Sequence, residues 1–454
     1  VLVLEQHTVS GGCTHAYVDK GYEFDTGLHY IGNLDKRKKI LDLITKNKLI
    51  WDKMGTPENN FTYDEISINN KIYNFQAGKI NFINNLIKEF PDEKENIENY
   101  LEYVNIVASR STYFNLKVLK YKLLAYLLSY FLCQDFFDSL KENVVEVISR
   151  FTKNKKLQAI LMGQFGDYGS IPNEESFFTH ASVVNHYLSG AWYPRNGPQQ
   201  ISTEIIPIIE STGGKVLVRQ KVKKILKENN TAIGVLMENN VIIKAKNIIS
   251  ACGANNTFLK LIETKYVSNA IIKNIHKNNV SSSFMCIFIG INKNKDELKL
   301  RSSNIWHWPN YDFENTLNNI KLDPLHSELP LFIGFPCAKD KNWNNKYPNK
   351  ANAVILTFGF YEHFQKWKNT KLKHRGDEYI QFKNIILNKS LKQLYKYYPQ
   401  IEKHVDYIDI SSPLTINYYL NSLKGEAYGM ANNPIRYIAN DWLRPQTDIK
   451  NLFL

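Results

Sequence analysis

Apolar, mostly β-branched residues open the chain from Val1 to Leu4, and the run stops on an acid, Glu5. A short apolar run closed by polar residues predicts a buried strand. The period then changes. Ile40, Leu41, Leu43 and Ile44 fall at helical spacing between Lys36 and Leu49. Ile80, Phe82, Ile83, Leu86, Ile87 and Phe90 repeat that spacing, as do Ile97, Tyr100, Leu101, Val104 and Val107, so a succession of helices is predicted. Leu116 to Cys133 comes next, and its uncharged core from Leu123 is shorter than the ~20 residues a bilayer requires. Its leading Lys117, Lys120 and Lys122 and its tyrosines suit a helix lying in a membrane interface. A buried helix of a substrate domain fits the same pattern.

Another helix is predicted from Ile201, Ile205, Ile206, Ile208 and Ile209, ending at Gly213-Gly214. Short strands follow at Lys215 to Arg219, Val222 to Leu226, Ala232 to Met237 and Val241 to Ala245, and Glu238-Asn239-Asn240 supplies the last turn. Asn247 to Gly253 reads as a parallel-type strand ending on glycine. Phe284 to Ile291, Leu329 to Phe335 and Ala353 to Phe360 are long β-rich runs that suit an antiparallel sheet, and Tyr379 to Tyr398 is helical again. Asn451 to Leu454 looks like the start of a buried strand.

The chain has 454 residues, enough for a large core divided between two domains. Its five cysteines (Cys13, Cys133, Cys252, Cys286, Cys337) are scattered, with no C-x-x-C pair, which argues against a zinc site or a disulfide framework. No His-Glu-x-x-His set occurs. His180 and His186 point to different faces of a predicted helix, so no metal site is expected. The net charge of +13 comes without a nucleic-acid-binding motif, and many lysines are interspersed with asparagine as solvated surface. Attraction to an anionic membrane surface is the better functional reading of that charge, next to nucleic-acid binding.

The chemistry concentrates near the start. Glu5 closes a strand, Gly11-Gly12 follows, then Gly21, then Asp25-Thr26-Gly27. A strand-end carboxylate is how a dinucleotide fold accepts hydrogen bonds from ribose hydroxyls, and paired glycines let backbone approach a bulky cofactor. The ordered set resembles the N-terminal region of flavin enzymes of the amine oxidase, phytoene desaturase and carotenoid isomerase group. That resemblance implies an α/β fold with a discontinuous Rossmann-like FAD-binding domain (1–35, 191–260, 406–454) and an α+β substrate domain (36–190, 261–405). The Gly-x-Gly-x-x-Gly turn of such folds is expected roughly 20 residues before the ribose carboxylate. Its absence, and the strand start at the other end, read as a fragment lacking the first βα unit and the C-terminal end.

Further segments narrow the resemblance. Phe24-Asp-Thr-Gly-Leu-His-Tyr-Ile-Gly32, Val184-Asn-His-Tyr187, Trp192-Tyr-Pro-Arg195, Phe335-Pro-Cys-Ala-Lys-Asp340, Ser412-Pro-Leu-Thr415 and Gly425-Glu-Ala-Tyr-Gly429 are similar to the all-trans-retinol 13,14-reductase (retinol saturase) family. Asn196 stands where that pattern usually has glycine. The resemblance implies FAD, leaves NAD or NADP open as electron donor, and implies a retinoid or carotenoid-like substrate. It also implies peripheral attachment to the endoplasmic reticulum membrane. Glu5 would hold the ribose, Gly11 and Gly12 would pass the pyrophosphate, and Asp25 and Gly27 would shape the loop beneath the flavin ring. Val222 would pair its backbone with adenine, and Arg195 and Gly253 would contact the cofactor. His29 and Tyr30 are the candidate proton donors for alkene saturation. Tyr193 and Tyr428 are further pocket candidates. A carotenoid isomerase or desaturase, or a non-catalytic isoprenoid-binding protein, are the competing readings.

Overall fold

The structure is a computed structural model that describes every residue except 110–114, 117–118 and 439–444. The opening strand, Leu2–Leu4, pairs in parallel with Lys215–Leu217, and the ladder continues through the Glu5 N–H to the Leu217 carbonyl at 2.9 Å. The helix between them, Gln199–Ser211, stops where Gly213 takes a φ of +80°. Gly214 has no room for a side chain, because a Cβ there would lie 2.7 Å from the Val1 carbonyl. An antiparallel meander follows (Val222–Glu228, Thr231–Met237, Ile242–Lys244). Ile248–Ile249 then pairs in parallel with Leu452–Phe453 near the far end of the chain. A small core that includes Ile225, Met237, Phe258, Ile275 and Leu452 ties these pieces together.

The largest sheet has seven strands, in the order Val405–Ile410, Phe284–Ile291, Ala351–Phe358, Leu331–Gly334, Asn304–Trp308, Thr62–Ile68, Lys71–Gln76. The sequence suggested an antiparallel sheet for Phe284 to Ile291, Leu329 to Phe335 and Ala353 to Phe360, and the strands there do pair antiparallel. One other pair departs from this, since Asn304–Trp308 runs parallel to Thr62–Ile68. The Thr62–Gln76 hairpin was not legible as strand, because Asp64, Glu65 and Ser67 interrupt its apolar alternation. The fold buries all three and supplies polar partners for them. Asn69 and Asn70 make its turn with left-handed backbone, a conformation asparagine tolerates. Helices Lys79–Glu89, Lys94–Ser109 and Phe177–Tyr187 contribute to the same large core.

Two connections place the N-terminal segment on this frame. The hairpin Ala16–Asp19/Tyr22–Asp25 docks on the sheet through Tyr22, Phe24, Phe288, Val354 and Tyr407. Gly290 makes that approach possible, since a Cβ there would sit 2.6 Å from the Tyr22 ring. Next, Ile31–Gly32 and Trp51–Lys53 flank Ala191–Pro194 in a small antiparallel sheet, which brings Tyr30 beside Tyr193. The chain then turns at Asn196 with a φ of +68°, the conformation glycine favours.

Candidate functional site

Glu5 and the glycine pair lie where the Leu2–Leu4 strand ends. The Glu5 carboxylate accepts the His7 N–H at 2.7 Å, and its carbonyl accepts the Gln220 N–H at 2.8 Å. Val222, two residues beyond Gln220, therefore begins its strand beside Glu5. Gly11 and Gly12 have φ of +122° and +56° and lead into a one-turn 3-10 helix, Gly12–Thr14. Gln199 pins this turn to the helix it opens: its Nε2 donates to the Ser10 carbonyl at 3.2 Å and its Oε1 accepts the Ala16 N–H at 3.1 Å. A Cβ on Gly11 would lie 3.0 Å from Ser202 Oγ, whereas the space over Gly12 is open. Gly27 packs on the turn so closely that a Cβ would meet the Cys13 carbonyl at 2.8 Å.

Beyond this turn lies a cavity of about 560 Å³ whose wall includes Cys13, Gly253, Asn256, Glu426, Tyr428 and Gly429. That volume is in the range of ligand sites, ~300–1,000 Å³. The wall fits a large polar planar group. Asn255 Oδ1, Asn256 Oδ1 and Ser422 Oγ, all from residues lining the cavity, are buried without a protein partner. Gly253 and Gly429 have positive φ, and nothing stands within 4 Å of where their Cβ atoms would be, so bare backbone is open to a ligand. Of the sequence-predicted residues, Gly253 lines this cavity, Gly11 and Gly12 lead into the turn that holds its lining Cys13, Gly27 packs on Cys13, and Glu5 and Val222 lie at the preceding strand end. Tyr428 belongs to the wall as well.

Asp25 and Arg195 each bond a neighbouring side chain. Asp25 is buried and accepts the Tyr193 hydroxyl at 2.7 Å. Burial pushes its pKa up to about 7 against that hydrogen bond. The Arg195 guanidinium pairs with buried Asp52 at 2.6 Å, with Nε also bonded to that carboxylate, and so joins the Trp51–Lys53 and Ala191–Pro194 strands.

His29 and Tyr30 enter a buried polar layer. The His29 ring packs on Phe332, centroids 5.6 Å apart, and its carbonyl accepts Lys339 Nζ at 3.0 Å. Burial, then the nearby Lys339 charge, lowers the His29 pKa to about 3, so its imidazole is neutral near pH 7. Tyr30 Oη lies 3.0 Å from Asp64 Oδ2 and 2.6 Å from Asp167 Oδ2. Asp64 also accepts Gln164 Nε2 at 2.5 Å and Asn304 Nδ2 at 2.8 Å. Burial raises Asp64 to about 7, and burial with the Asp64 charge raises Asp167 to about 8. Burial lowers Lys339 to about 8 while Asp25, Asp64 and Asp167 oppose the shift. Over this layer Tyr187 stacks on Tyr30 at 4.5 Å, and Tyr63 stacks on Tyr187 at 6.0 Å.

Sequence reasoning missed Asp64, Asp167, Lys339 and the place of Tyr187. Lys339 did lie inside the Phe335-to-Asp340 segment quoted for the resemblance, and acids inside an otherwise apolar strand were the available sign of Asp64.

A glycine-rich turn after a strand-end carboxylate, a cavity walled by bare backbone and a mixed substrate-side sheet define a flavin-dependent oxidoreductase. The chain belongs to the flavin containing amine oxidoreductase family, whose model matches residues 1–318, and FAD is its cofactor. Among its relatives, an all-trans-retinol 13,14-reductase of Danio rerio is 35% identical over 472 residues, which cover 100% of this chain and 78% of that one. A second Danio rerio protein, named an inactive all-trans-retinol 13,14-reductase, is 27% identical over 477 residues, 100% of this chain and 77% of its own. The solved structure of an oxidoreductase from Methanosarcina mazei matches with a TM-score of 0.59 over 100% of this chain and 87% of that one. At 13% identity that likeness is one of fold.

Proposed function

We propose that the protein reduces one double bond of a retinoid, converting all-trans-retinol to a 13,14-dihydro product. The observation that carries this reading is the 35% identity, over the whole chain, to a protein named for that reaction. When bound, the flavin supplies the hydride chemistry. The Gly11-Gly12 turn and Gly253 would lie against the cofactor, and Glu5 would accept from its ribose. The stacked Tyr63, Tyr187 and Tyr30 rings and Phe332 form a buried aromatic wall against which a polyene would pack away from water. An electron donor of the NAD or NADP class completes the redox balance.

The reading extends to peripheral attachment at the endoplasmic reticulum membrane. Its support is the Lys122–Leu132 helix, which exposes Leu123, Tyr126, Tyr130, Phe131 and Leu132 to solvent. Lys117 of the sequence reading lies outside the described residues. No helix among the described residues is long and apolar enough to cross a membrane.

The experiment is incubation of flavin-loaded, full-length protein with all-trans-retinol and a reductant, with products resolved by chromatography. A dihydroretinol product is expected. Isomerised or desaturated carotenoid with untouched retinol would replace the substrate. Retention of retinol with no turnover, in a protein that carries flavin, would favour a non-catalytic isoprenoid-binding role.

A further inference from the structure

Behind the aromatic wall the chain buries more acid than base. Asp25, Asp64 and Asp167 share their surroundings with a single lysine, Lys339, and Asp25, Asp64 and Lys339 are each no more than 3% exposed. Ionising all three carboxylates beside one ammonium would leave uncompensated buried charge, which costs far more than holding a proton. At least one of them is therefore a neutral acid, and the hydrogen bonds select which.

Tyr30 Oη touches one oxygen of Asp64 and one of Asp167, at 3.0 and 2.6 Å. A phenol has a single proton to donate. With two acids on one hydroxyl, one carboxyl must donate back to the phenol oxygen. Asp64 is the anion, because Gln164 donates to its Oδ2 and Asn304 to its Oδ1, so a proton on either oxygen would face an N–H donor. Asp167 has no side-chain donor besides Tyr30 among the hydrogen bonds described. The chain of bonds thus runs from the Asp167 carboxyl to Tyr30 Oη, and from the Tyr30 hydroxyl to the Asp64 carboxylate. Asp167 is also the acid with surface left open, whereas Asp64 has none. It sits two residues from Gly169, whose backbone presses on the ring of cavity-lining Tyr428.

We propose that Asp167 is the proton donor for the reduction, with Tyr30 and Asp64 positioning its carboxyl. This rests on the retinoid reading above. In the balanced step the carbon–carbon π bond breaks and two C–H bonds form. A hydride reaches one carbon from the reduced cofactor, which is oxidised, and the Asp167 proton reaches the other. The Asp167 carboxylate is then reprotonated from solvent through the open edge, and a reduced nicotinamide dinucleotide or dithionite restores the cofactor. The groups facing Asp167 are Asp64, Tyr30, Lys339, Tyr63, Tyr168, Tyr187 and Tyr428, and the tyrosines stay neutral because burial raises each of them. Asp167 holds its proton up to about pH 8, so turnover falls as pH rises through that value.

The test compares parent, Asp167→Asn and Asp167→Glu proteins at matched flavin content. Infrared difference spectra between pH 6 and pH 9 should show one more neutral carboxylic acid ionising in the parent than in Asp167→Asn. Asp167→Asn should keep bound flavin and its reduction by dithionite, lose about 10²–10⁴-fold in saturated product, and lose the alkaline limb of the pH profile. Asp167→Glu should restore part of both. Parent-like turnover by Asp167→Asn, or an infrared signature showing Asp167 already ionised at pH 6, overturns the proposal. If the parent leaves every retinoid unchanged, the substrate reading fails separately, and the infrared band decides where the proton resides.

Discussion

Asp25 looks from the sequence like a cofactor-loop residue, and the fold makes it a buried acid on the Tyr193 hydroxyl. Its pKa rises from an ordinary 3.8 in the unfolded chain to about 7 in the fold, chiefly through burial. Between those values the folded state holds a proton that the unfolded chain has lost. Stability contributed by this group is therefore present below about pH 4 and is lost as pH rises through about 7. Asp25→Asn keeps an acceptor for Tyr193 and removes the titration. Urea unfolding at pH 5 and pH 8 should show a smaller loss on the alkaline side for the variant than for the parent, and an unchanged difference would assign the pH dependence to Asp64 and Asp167. Glu5, Gly11, Gly12 and Gly27 were legible one by one, because a strand-end acid and glycines in a tight turn carry their meaning locally. Asp64, Asp167 and Lys339 acquire theirs only from one another.

The most exposed apolar element is the helix Lys122–Leu132, where Leu123 is 75% and Phe131 77% exposed. Only its inner edge is covered, through Ala125 and Ser129. A membrane-bound role predicts that the protein sediments with anionic liposomes more than with neutral ones, and that salt narrows the difference. The double variant Leu123→Asp, Phe131→Asp changes only exposed positions, so it should stay folded and lose most of that binding. Equal sedimentation by the variant would move the contact to another surface. Periodicity identified helices near their observed bounds, such as Lys79–Glu89 and Asp377–Tyr397, because one face of each is apolar. It missed the Thr62–Gln76 hairpin, whose buried polar residues break the alternation on which strand recognition depends.

At the scale of the whole molecule, the N-terminal hairpin is held on the seven-stranded sheet by close fit. Gly290→Ala would push a methyl into the Tyr22 ring and should cost about 1–3 kcal/mol in urea unfolding. Adding Tyr22→Leu should recover part of that loss; additive destabilisation by the pair would show that the contact is not the cause. The sequence by itself determined the α/β class, the helices with an apolar face and the glycine turn after Glu5, on which the resemblance to flavin enzymes rests. Each of those follows from neighbours within a few residues. The tertiary structure alone decided that Leu452–Phe453 pairs with Ile248–Ile249, that Arg195 binds Asp52, and that Tyr30 bridges two acids a hundred residues apart in the chain. Those depend on which segments the fold brings together. Burial then sets the charge of the groups that meet there, an outcome that no local pattern of residues encodes.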